Sequence, residues 1–505
     1  MKKTALNSLL SSKIRLGLLT VVLTLSAAYV HAPVLAQNLP ILGDTGREDL
    51  SPLMERKLGE EIMWDFKQDP DYIDDGPVLE YLNNFGGKLL EVHQEARGET
   101  GFDFFFFAVR DPVLNAFALP GGFIGVHSAL ILAAQNESEL AAVLSHEIGH
   151  VAQRHIARMI GSQRQDALIP IASMILAALT MRSNPDVAMA LAVGGEGVAI
   201  QRQLNFSQNA EREADRVGLQ IMRDGGFDPS GMVAFFGRMQ VASRTTSDSV
   251  PPFLRTHPLT TERIADISSR IQSEPFTSHH DDPDFQLLRA RVRVLQDDSV
   301  QGLTNTKNLF LDELATSSKL HHVNSAAYYG LAFVAYKQNN YNEASSLLQK
   351  ARAVSESTSQ FYTSLELDIL QKSGRLAEAW KAAELARQAF PVSRGIGRQY
   401  ADILIANKHI TEAIAYLRDQ TLLYRKEPEL QQQLAKAYAA EGKESLQHLA
   451  LAEAYAMAGA ISPALDQLVF ARRAQDATYY DLAVIDARER DLKILWKDQL
   501  DAKKK

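Results

Sequence analysis

The sequence His-Glu-Ile-Gly-His at residues 146–150 has the clearest chemical meaning in this chain. The residues that precede it, 138–145, have a composition typical of a helix. On a helix, positions four apart lie about 40° apart around the axis, so His146 and His150 face one point. Zinc binds neutral imidazole nitrogens at about 2.0–2.1 Å, so this pair predicts a zinc site. We expect Glu147, which lies beside the pair, to accept a proton from a water molecule at the ion.

Two histidines do not complete such a site, because a catalytic zinc ion takes three protein ligands and keeps one open position. A third histidine six residues after His150 is one solution, but Ile156 stands there. His155 comes one residue earlier and would point about 140° away from His150 on a continuous helix. The sequence therefore predicts that His155 is either a surface residue or a residue that contacts a ligand from outside.

A second motif, Glu-Arg-Glu-Ala-Asp at residues 211–215, offers the missing ligand. Glu211 and Asp215 are four residues apart and share one face of a helix. Such a helix could present Glu211 to the metal while Asp215 accepts the N–H of a ligand histidine and so fixes the ring. Glu213 points to another side of this helix and is predicted to be solvated. Without the upstream histidines, an exposed acidic helix face would explain the same residues.

The two motifs together resemble the metalloproteases typified by the CAAX prenyl protease and the heat-shock protease HtpX. In that family the first glutamate of the second motif is the third zinc ligand, which implies Glu211, and the aspartate of the motif corresponds to Asp215. A segment before the first motif is similar to the edge strand along which the family's extended substrates bind as an added strand. This segment consists of Asn115, Ala116, Phe117 and Ala118, with Pro120-Gly121-Gly122 after Leu119.

A third stretch, Thr256-His257-Pro258 with Arg263, is similar to a further motif of the same family. His257 lies on a proline-containing loop, outside the helices that carry the other ligands. It could cap a helix or contact substrate. Alternatively, it could occupy the fourth position at zinc and keep the enzyme latent until the loop moves.

The N-terminus predicts export from the cytoplasm. A basic start is followed by a short apolar run and by Val34-Leu35-Ala36, so residues 1–36 are predicted to be a cleaved signal peptide. The apolar run is shorter than the ~18–20 residues that a membrane span needs, which disfavours the alternative of an anchor. The full chain has a net charge of −8 and no cysteine, and loss of the four basic residues of the leader leaves −12. Without cysteine, the chain can form no disulfide, and its negative charge argues against a nucleic-acid partner. Together with the leader, these features favour a bacterial periplasm.

The rest of the chain is predicted to be α+β and mostly α, with a zincin-type peptidase domain at residues 37–272 and a linker at 273–284. Within the first domain, helices are expected near 54–66 and 77–94, a strand at 104–110 and two short strands around the Pro-Gly-Gly turn. The apolar segment 167–193 is expected to form buried or lid-forming helices, with contact to a membrane surface as the alternative. Residues 501–505 are predicted to be a solvated basic tail.

Residues 285–500 are predicted to form a tetratricopeptide array, because similar short motifs recur there. Ala344, Ala379 and Ala413 are 35 and 34 residues apart in similar settings, and Ala464 follows 51 residues later. A spacing of about 17 corresponds to one helix with its turn, and two such helices make the tetratricopeptide period of 34. An irregular helical bundle is the alternative.

These elements predict a zinc metalloendopeptidase with one zinc ion per chain. A leader, a peptidase domain of this family and a tetratricopeptide array together are similar to periplasmic proteases that serve β-barrel assembly. The resemblance implies that the clients are misfolded or stalled outer-membrane β-barrel proteins, and that the array contacts the β-barrel assembly machinery. A chaperone or assembly adaptor with latent or minor protease activity is the alternative, since a concave helical array can bind extended segments without cleaving them.

Overall fold

The computed structural model describes residues 50–97, 103–161, 207–245, 252–272, 278–316, 321–355 and 358–502. The predicted signal peptide and the apolar segment 167–193 lie outside the described residues, as do the last three residues of the tail. Among the helices in these ranges, none combines the length and apolar character that a membrane span requires.

Two capped helices come first in the described chain. Helix α1, Pro52–Phe66, begins after Ser51, whose side chain accepts a hydrogen bond from the Met54 N–H. Helix α2, Gly76–Glu91, begins after Asp75, whose carboxylate accepts from the Val78 N–H. Each has a proline in its first turn, where no N–H is needed. The prediction for α2 extended too far, because a short 3-10 helix, Gln94–Arg97, follows it.

A small sheet of three strands follows, in the order β1-β3-β2. Strand β1 is Phe105–Val109, β2 is Ala116–Leu119 and β3 is Phe123–His127. The central strand β3 pairs parallel to β1 and antiparallel to β2, so β2 lies at the edge. Gly121 and Gly122 turn the β2–β3 hairpin at φ values of 77° and 92°, a backbone region that favours glycine. The predicted strands and their turn are confirmed.

Helices make up nearly all of the remaining described chain. Those of the first half are α3 Ser128–Ala133, α4 Glu137–Ala152, α5 His155–Gly161, α6 Gln208–Asp224, α7 Ser230–Thr245, α8 Pro252–Thr256 and α9 Thr261–Gln272. Those of the second half are α10 Pro283–Gln296, α11 Val300–Thr316, α12 His321–Lys337, α13 Tyr341–Val354, α14 Gln360–Lys372, α15 Leu376–Ala389, α16 Arg394–Ala406, α17 Ile410–Leu423, α18 Pro428–Glu441, α19 Glu444–Met457, α20 Ile461–Arg473 and α21 Tyr479–Ala502. The mostly α prediction with one small sheet is confirmed.

The repeating alanines of the second half mark equivalent places in successive helices. Ala344, Ala379, Ala413 and Ala464 are all fully buried, each in the first turns of its helix. A methyl side chain at these positions lets neighbouring helices approach closely. The helical repeat of about 34 residues inferred from the sequence is therefore present, which confirms a tetratricopeptide array.

One apolar core runs through both halves of the described chain. The same cluster of buried side chains includes Leu140 of α4, Phe285 of α10 and Phe361 of α14. A buried ion pair adds to this packing, because the Arg291 Nε atom lies 2.7 Å from Asp75 Oδ1 at the start of α2. The peptidase part and the array thus pack against each other, and the domain boundaries at 272 and 285 stay a prediction.

Candidate metal centre

Helices α4 and α6 carry the two sequence motifs and pack closely against each other. Asn136 caps α4 and Ser207 caps α6, each by accepting a backbone N–H. A Cβ atom on Gly218 of α6 would lie 3.0 Å from the backbone of Ser145 and His146. The small residue therefore allows the two helices to bring their ligands together.

Four side chains converge between these helices and the turn after α8. The potential ligand atoms of His146, His150, Glu211 and His257 all lie within 4.8 Å of one another, and all four residues are buried. The His146 and His150 Nε2 atoms are 3.1 Å apart, and they lie 3.5 and 3.4 Å from the two carboxylate oxygens of Glu211. Two imidazoles and a carboxylate are a typical donor set for catalytic zinc, and their convergence here fits one ion.

Electrostatics inside the cluster favours an ionised Glu211. Burial alone would raise the pKa of this carboxyl, but the charge of His257 and hydrogen bonds with His146 and His150 hold it well below its usual range. The pKa of His150 is lowered well below its usual value, mainly by burial, which favours the neutral imidazole. Metal binding requires this pair of states, an anionic carboxylate and a neutral ring.

Glu147 stands beside the cluster and is not one of its converging ligands. Its side chain is fully buried, and among the described residues its carboxylate oxygens contact no side-chain hydrogen-bond donor. The backbone of Ala118 lies next to this carboxylate, and His257 Nε2 lies 3.6 Å from its Oε1 atom. Burial raises the pKa of Glu147, which makes it a stronger base than an exposed glutamate.

Asp215 lies behind the ligands, where the sequence predicted it. Its Oδ1 atom is 3.0 Å from Nδ1 of His146. Arg263 holds this carboxylate with two hydrogen bonds of 2.7 and 2.8 Å and also lies 2.7 Å from Oε2 of Glu211. Burial would raise the pKa of Asp215, but Arg263 and His146 lower it, so the carboxylate stays ionised. From the sequence, Arg263 was only part of a motif resemblance, whereas in the structure its guanidinium contacts two carboxylates of the site.

His257 reaches the cluster from the turn that follows α8. Its Nδ1 atom lies 3.0 Å from Oε1 of Glu211 and 3.3 Å from Nε2 of His146. The ring is 2% exposed, and its centroid lies 4.7 Å from that of the tilted Phe253 ring. Of the roles that the sequence left open, this position favours contact with the ligands over capping of a helix.

Of the two roles predicted for His155, the structure shows contact with a ligand from outside. His155 is 3% exposed, so it is no surface residue, and its Nδ1 atom lies 2.9 Å from Nδ1 of His150. Glu213, which was predicted to be solvated, is partly exposed but paired. Its Oε2 atom lies 3.1 Å from His155 Nε2 and 3.0 Å from Arg158 Nη2. The pairing of His155 with Glu213 was not predicted, because a motif helix that continued past residue 152 would point His155 away from His150.

The edge strand β2 runs past Glu147. Ala118 contacts Glu147 through its backbone, as described above, while the Phe117 side chain is buried and packs on Phe66 and Phe107. The Asn115 carbonyl accepts a hydrogen bond from the His127 N–H. The strand is therefore fixed by its side chains, and one backbone edge lies beside the site.

Comparison with known proteins agrees with this geometry. Residues 89–271 match the model of peptidase family M48. The beta-barrel assembly-enhancing protease of Escherichia coli (strain K12) is 31% identical over 436 residues, which cover 86% of each chain. The protein of that name from Yersinia pestis is 31% identical over 438 residues, or 85% of this chain and 86% of the relative. The mitochondrial metalloendopeptidase OMA1 of Arabidopsis thaliana is 27% identical over 217 residues, 43% of this chain and 40% of the relative.

The fold, the buried ligand cluster and the matched family define a metalloendopeptidase. Within this class, the chain belongs to peptidase family M48, in the group of the beta-barrel assembly-enhancing proteases. Its buried cluster of two histidines and a glutamate is suited to one metal ion, consistent with zinc.

Proposed function

We propose that this chain is a zinc-dependent endopeptidase of the bacterial periplasm that degrades misfolded or stalled outer-membrane β-barrel proteins. The proposal rests mainly on one observation, the convergence of His146, His150 and Glu211 beside a buried Glu147. The similarity to proteases named for β-barrel assembly supports the choice of substrate and compartment. The predicted signal peptide and the absence of cysteine from the sequence are consistent with that compartment.

His146, His150 and Glu211 would hold the zinc ion. When bound, zinc would act as a Lewis acid that polarises the scissile carbonyl and lowers the pKa of its bound water towards ~7. Glu147 takes the proton of the attacking water on its carboxylate and passes it to the nitrogen of the leaving amine. No side chain of the described residues donates a hydrogen bond to this carboxylate, so it can accept the proton of a water once His257 has withdrawn.

Asp215 contributes by orienting a ligand. With its carboxylate 3.0 Å from Nδ1 of His146, it holds the proton of that ring on Nδ1 and leaves Nε2 for the metal. Arg263 fixes Asp215 and Glu211 relative to each other through one guanidinium. Arg263 belongs to the same motif as His257, so its guanidinium links that motif to the metal site.

The substrate would lie extended along Ala116, Phe117 and Ala118 of β2, with Asn115 just before the strand. An added strand hydrogen-bonds to the backbone of an edge strand, so this mode selects unfolded or strand-like polypeptide over folded domains. Ala118 beside Glu147 would bring the scissile bond of such a strand next to the base. Stalled β-barrel proteins expose unpaired strands of this kind.

We further propose that His257 restrains the enzyme. Its Nδ1 atom faces the ligands and its Nε2 atom faces Glu147, so the ring occupies the space that the attacking water needs. A neutral imidazole could serve as the fourth zinc ligand, which would leave no open position for substrate. Activity would then require the turn after α8 to withdraw His257.

The helical array, residues 285–500 in the predicted division, would recruit clients and the β-barrel assembly machinery and so assist assembly. An adaptor with only latent or minor protease activity is the second candidate, favoured by the array itself, since stacked helical repeats offer extended binding surfaces. Peripheral contact with the outer membrane would follow from either role. No nucleic-acid partner is proposed, because the chain is acidic overall.

Comparison of Glu147→Gln with wild type separates the two functions. The substrate is an unfolded β-barrel outer-membrane protein, tested with zinc and with a chelator. We expect the variant to keep its zinc and lose at least about 100-fold in cleavage rate. Cleavage by the variant at the wild-type rate would contradict the role of Glu147. Loss of cleavage with continued support of barrel assembly would show that both functions reside in this chain.

A further inference from the structure

His155 contacts a proposed metal ligand from the side away from the metal. Its Nδ1 atom lies 2.9 Å from Nδ1 of His150, and its Nε2 atom lies 3.1 Å from Oε2 of Glu213. Arg158 reaches the same Glu213 oxygen at 3.0 Å. The side chains thus form a chain of contacts that runs from His150 to the guanidinium of Arg158.

A metal ion on His150 Nε2 would fix the placement of protons along this chain of contacts. If His150 Nε2 binds a metal, the proton of the neutral ring must be on Nδ1, which then donates to His155 Nδ1. The proton of His155 must consequently be on Nε2, where it faces the acceptor carboxylate of Glu213. The opposite tautomers would direct a lone pair of His155 at that carboxylate and put a proton on His150 Nε2, where it would block metal binding.

The backbone is shaped to allow this contact. Helix α4 ends at Ala152, and Arg154 adopts a φ of 50°, which is uncommon for a residue other than glycine. The Arg154 side chain is held by Glu55 at 3.1 Å and by the Leu50 carbonyl at 2.5 Å. This break brings His155 back against His150, whereas a continuous helix would point it about 140° away.

We propose that His155 is a positioning residue for the metal centre, which selects the metal-binding tautomer of His150 and fixes its ring. This inference rests on the proposed zinc function of His146, His150 and Glu211. In this proposal, His155 and Glu213 orient His150. Asp215 and Arg263 orient His146 in the same way. Each imidazole of the His-Glu-Ile-Gly-His motif is then held by a neighbouring side chain. A carboxylate holds the His146 ring directly, and a second imidazole holds the His150 ring.

The test is the zinc affinity of the full chain, measured by competition with a chromophoric chelator. His155→Phe keeps the size and shape of the ring but removes the acceptor for His150, and it is expected to weaken zinc binding by about 10- to 100-fold. His155→Asn places an oxygen near the position of Nδ1 and is expected to stay within a few-fold of wild type. His93→Phe is the matched control, because His93 is also buried and paired with a carboxylate, Asp224 at 2.6 Å, outside the cluster.

Thermal unfolding of each variant without zinc separates loss of affinity from loss of folding. Weaker binding by His155→Phe, recovery in His155→Asn and no change in His93→Phe support the proposal. Equal affinity of His155→Phe and wild type would overturn it while leaving the metalloendopeptidase proposal intact. So would equal weakening by His155→Phe and His155→Asn, since the acceptor atom would then be irrelevant. If wild type took up no zinc, and His146→Ala made no difference, the proposed function and this inference would fall together.

Discussion

Gly149 lies against the backbone of Ala214: a Cβ atom on Gly149 would come within 2.9 Å of the Ala214 carbonyl oxygen. Gly149 belongs to the first motif, and Ala214 belongs to the second. The contact therefore sets the distance between the helix that carries His146 and His150 and the helix that carries Glu211. A larger residue at Gly149 has to push these helices apart.

We predict that Gly149→Val weakens zinc uptake and destabilises the fold by about 1–3 kcal/mol, the usual cost of overpacking a filled core. Gly87→Val is the matched control, since Gly87 is also helical but a Cβ atom there meets nothing within 4 Å. Chelator competition and thermal unfolding measure the two effects. Equal behaviour of both variants would show that the helix contact does not position the ligands.

Arg263 is predicted to stabilise the site by neutralising two buried carboxylates. In Arg263→Met, Asp215 and Glu211 lose their shared cation, and breaking such a buried pair costs roughly 3–5 kcal/mol. Added zinc should reduce this loss, because the ion brings positive charge to Glu211. Arg270→Met, on the same helix, removes an exposed pair with Asp266 and should cost far less. Denaturant unfolding with and without zinc would measure this, and equal losses in the two variants would contradict it.

Removal of the His257 ring is predicted to raise the peptidase activity. His257→Ala should raise the rate of cleavage of an unfolded β-barrel protein several-fold, with zinc content unchanged, because the space beside Glu147 becomes open to water. The double variant His257→Ala, Glu147→Gln is the control and should be inactive. Unchanged or lower activity of His257→Ala at full zinc occupancy would refute the restraint.

Asp368, in the array, is predicted to make stability depend on pH. Burial raises its pKa to about 6, although Arg291 and a hydrogen bond from Gln399 oppose the shift. The pKa of aspartate in an unfolded chain is about 3.9, so the folded state binds this proton more tightly. The resulting stabilisation is complete below pH ~4 and is lost as pH rises through about 6.

Asp368→Asn removes this dependence, since the amide carries no charge at any of these pH values. Relative to wild type, the variant should gain on the order of 2 kcal/mol in the free energy of unfolding between pH 4 and pH 7. Denaturant unfolding at several pH values measures the difference. Asp466→Asn, at an exposed position of the array, is the control and should follow wild type. A constant difference between Asp368→Asn and wild type across this range would contradict the prediction.

The metal site was predictable because its residues have a fixed spacing on regular helices. A separation of four residues determines that His146 and His150 share a face, and the same holds for Glu211 and Asp215. The hairpin was predictable because the Pro-Gly-Gly turn separates two apolar runs. Both cases depend on local geometry, which neighbouring residues decide.

Contacts that depend on a break in regular structure were not predictable. The turn at Arg154 reverses the direction expected for His155, and it depends on Glu55, about 100 residues earlier in the chain. The site role of Arg263 depends on how α9 packs against α6, which no local pattern encodes. The shared core of the two halves likewise depends on the packing of distant helices, so the sequence suggested a simple linker there.

The proposed peptidase activity depends on one zinc ion held by residues of two separate motifs. Anomalous scattering at the zinc absorption edge, from crystals of protein loaded with one equivalent of zinc, tests this directly. We predict one dominant peak within about 2.3 Å of ligand atoms from His146, His150 and Glu211. A dominant peak elsewhere, for example at the cluster of Glu137, His279 and Asp281, or no peak between the two motif helices, would contradict the account.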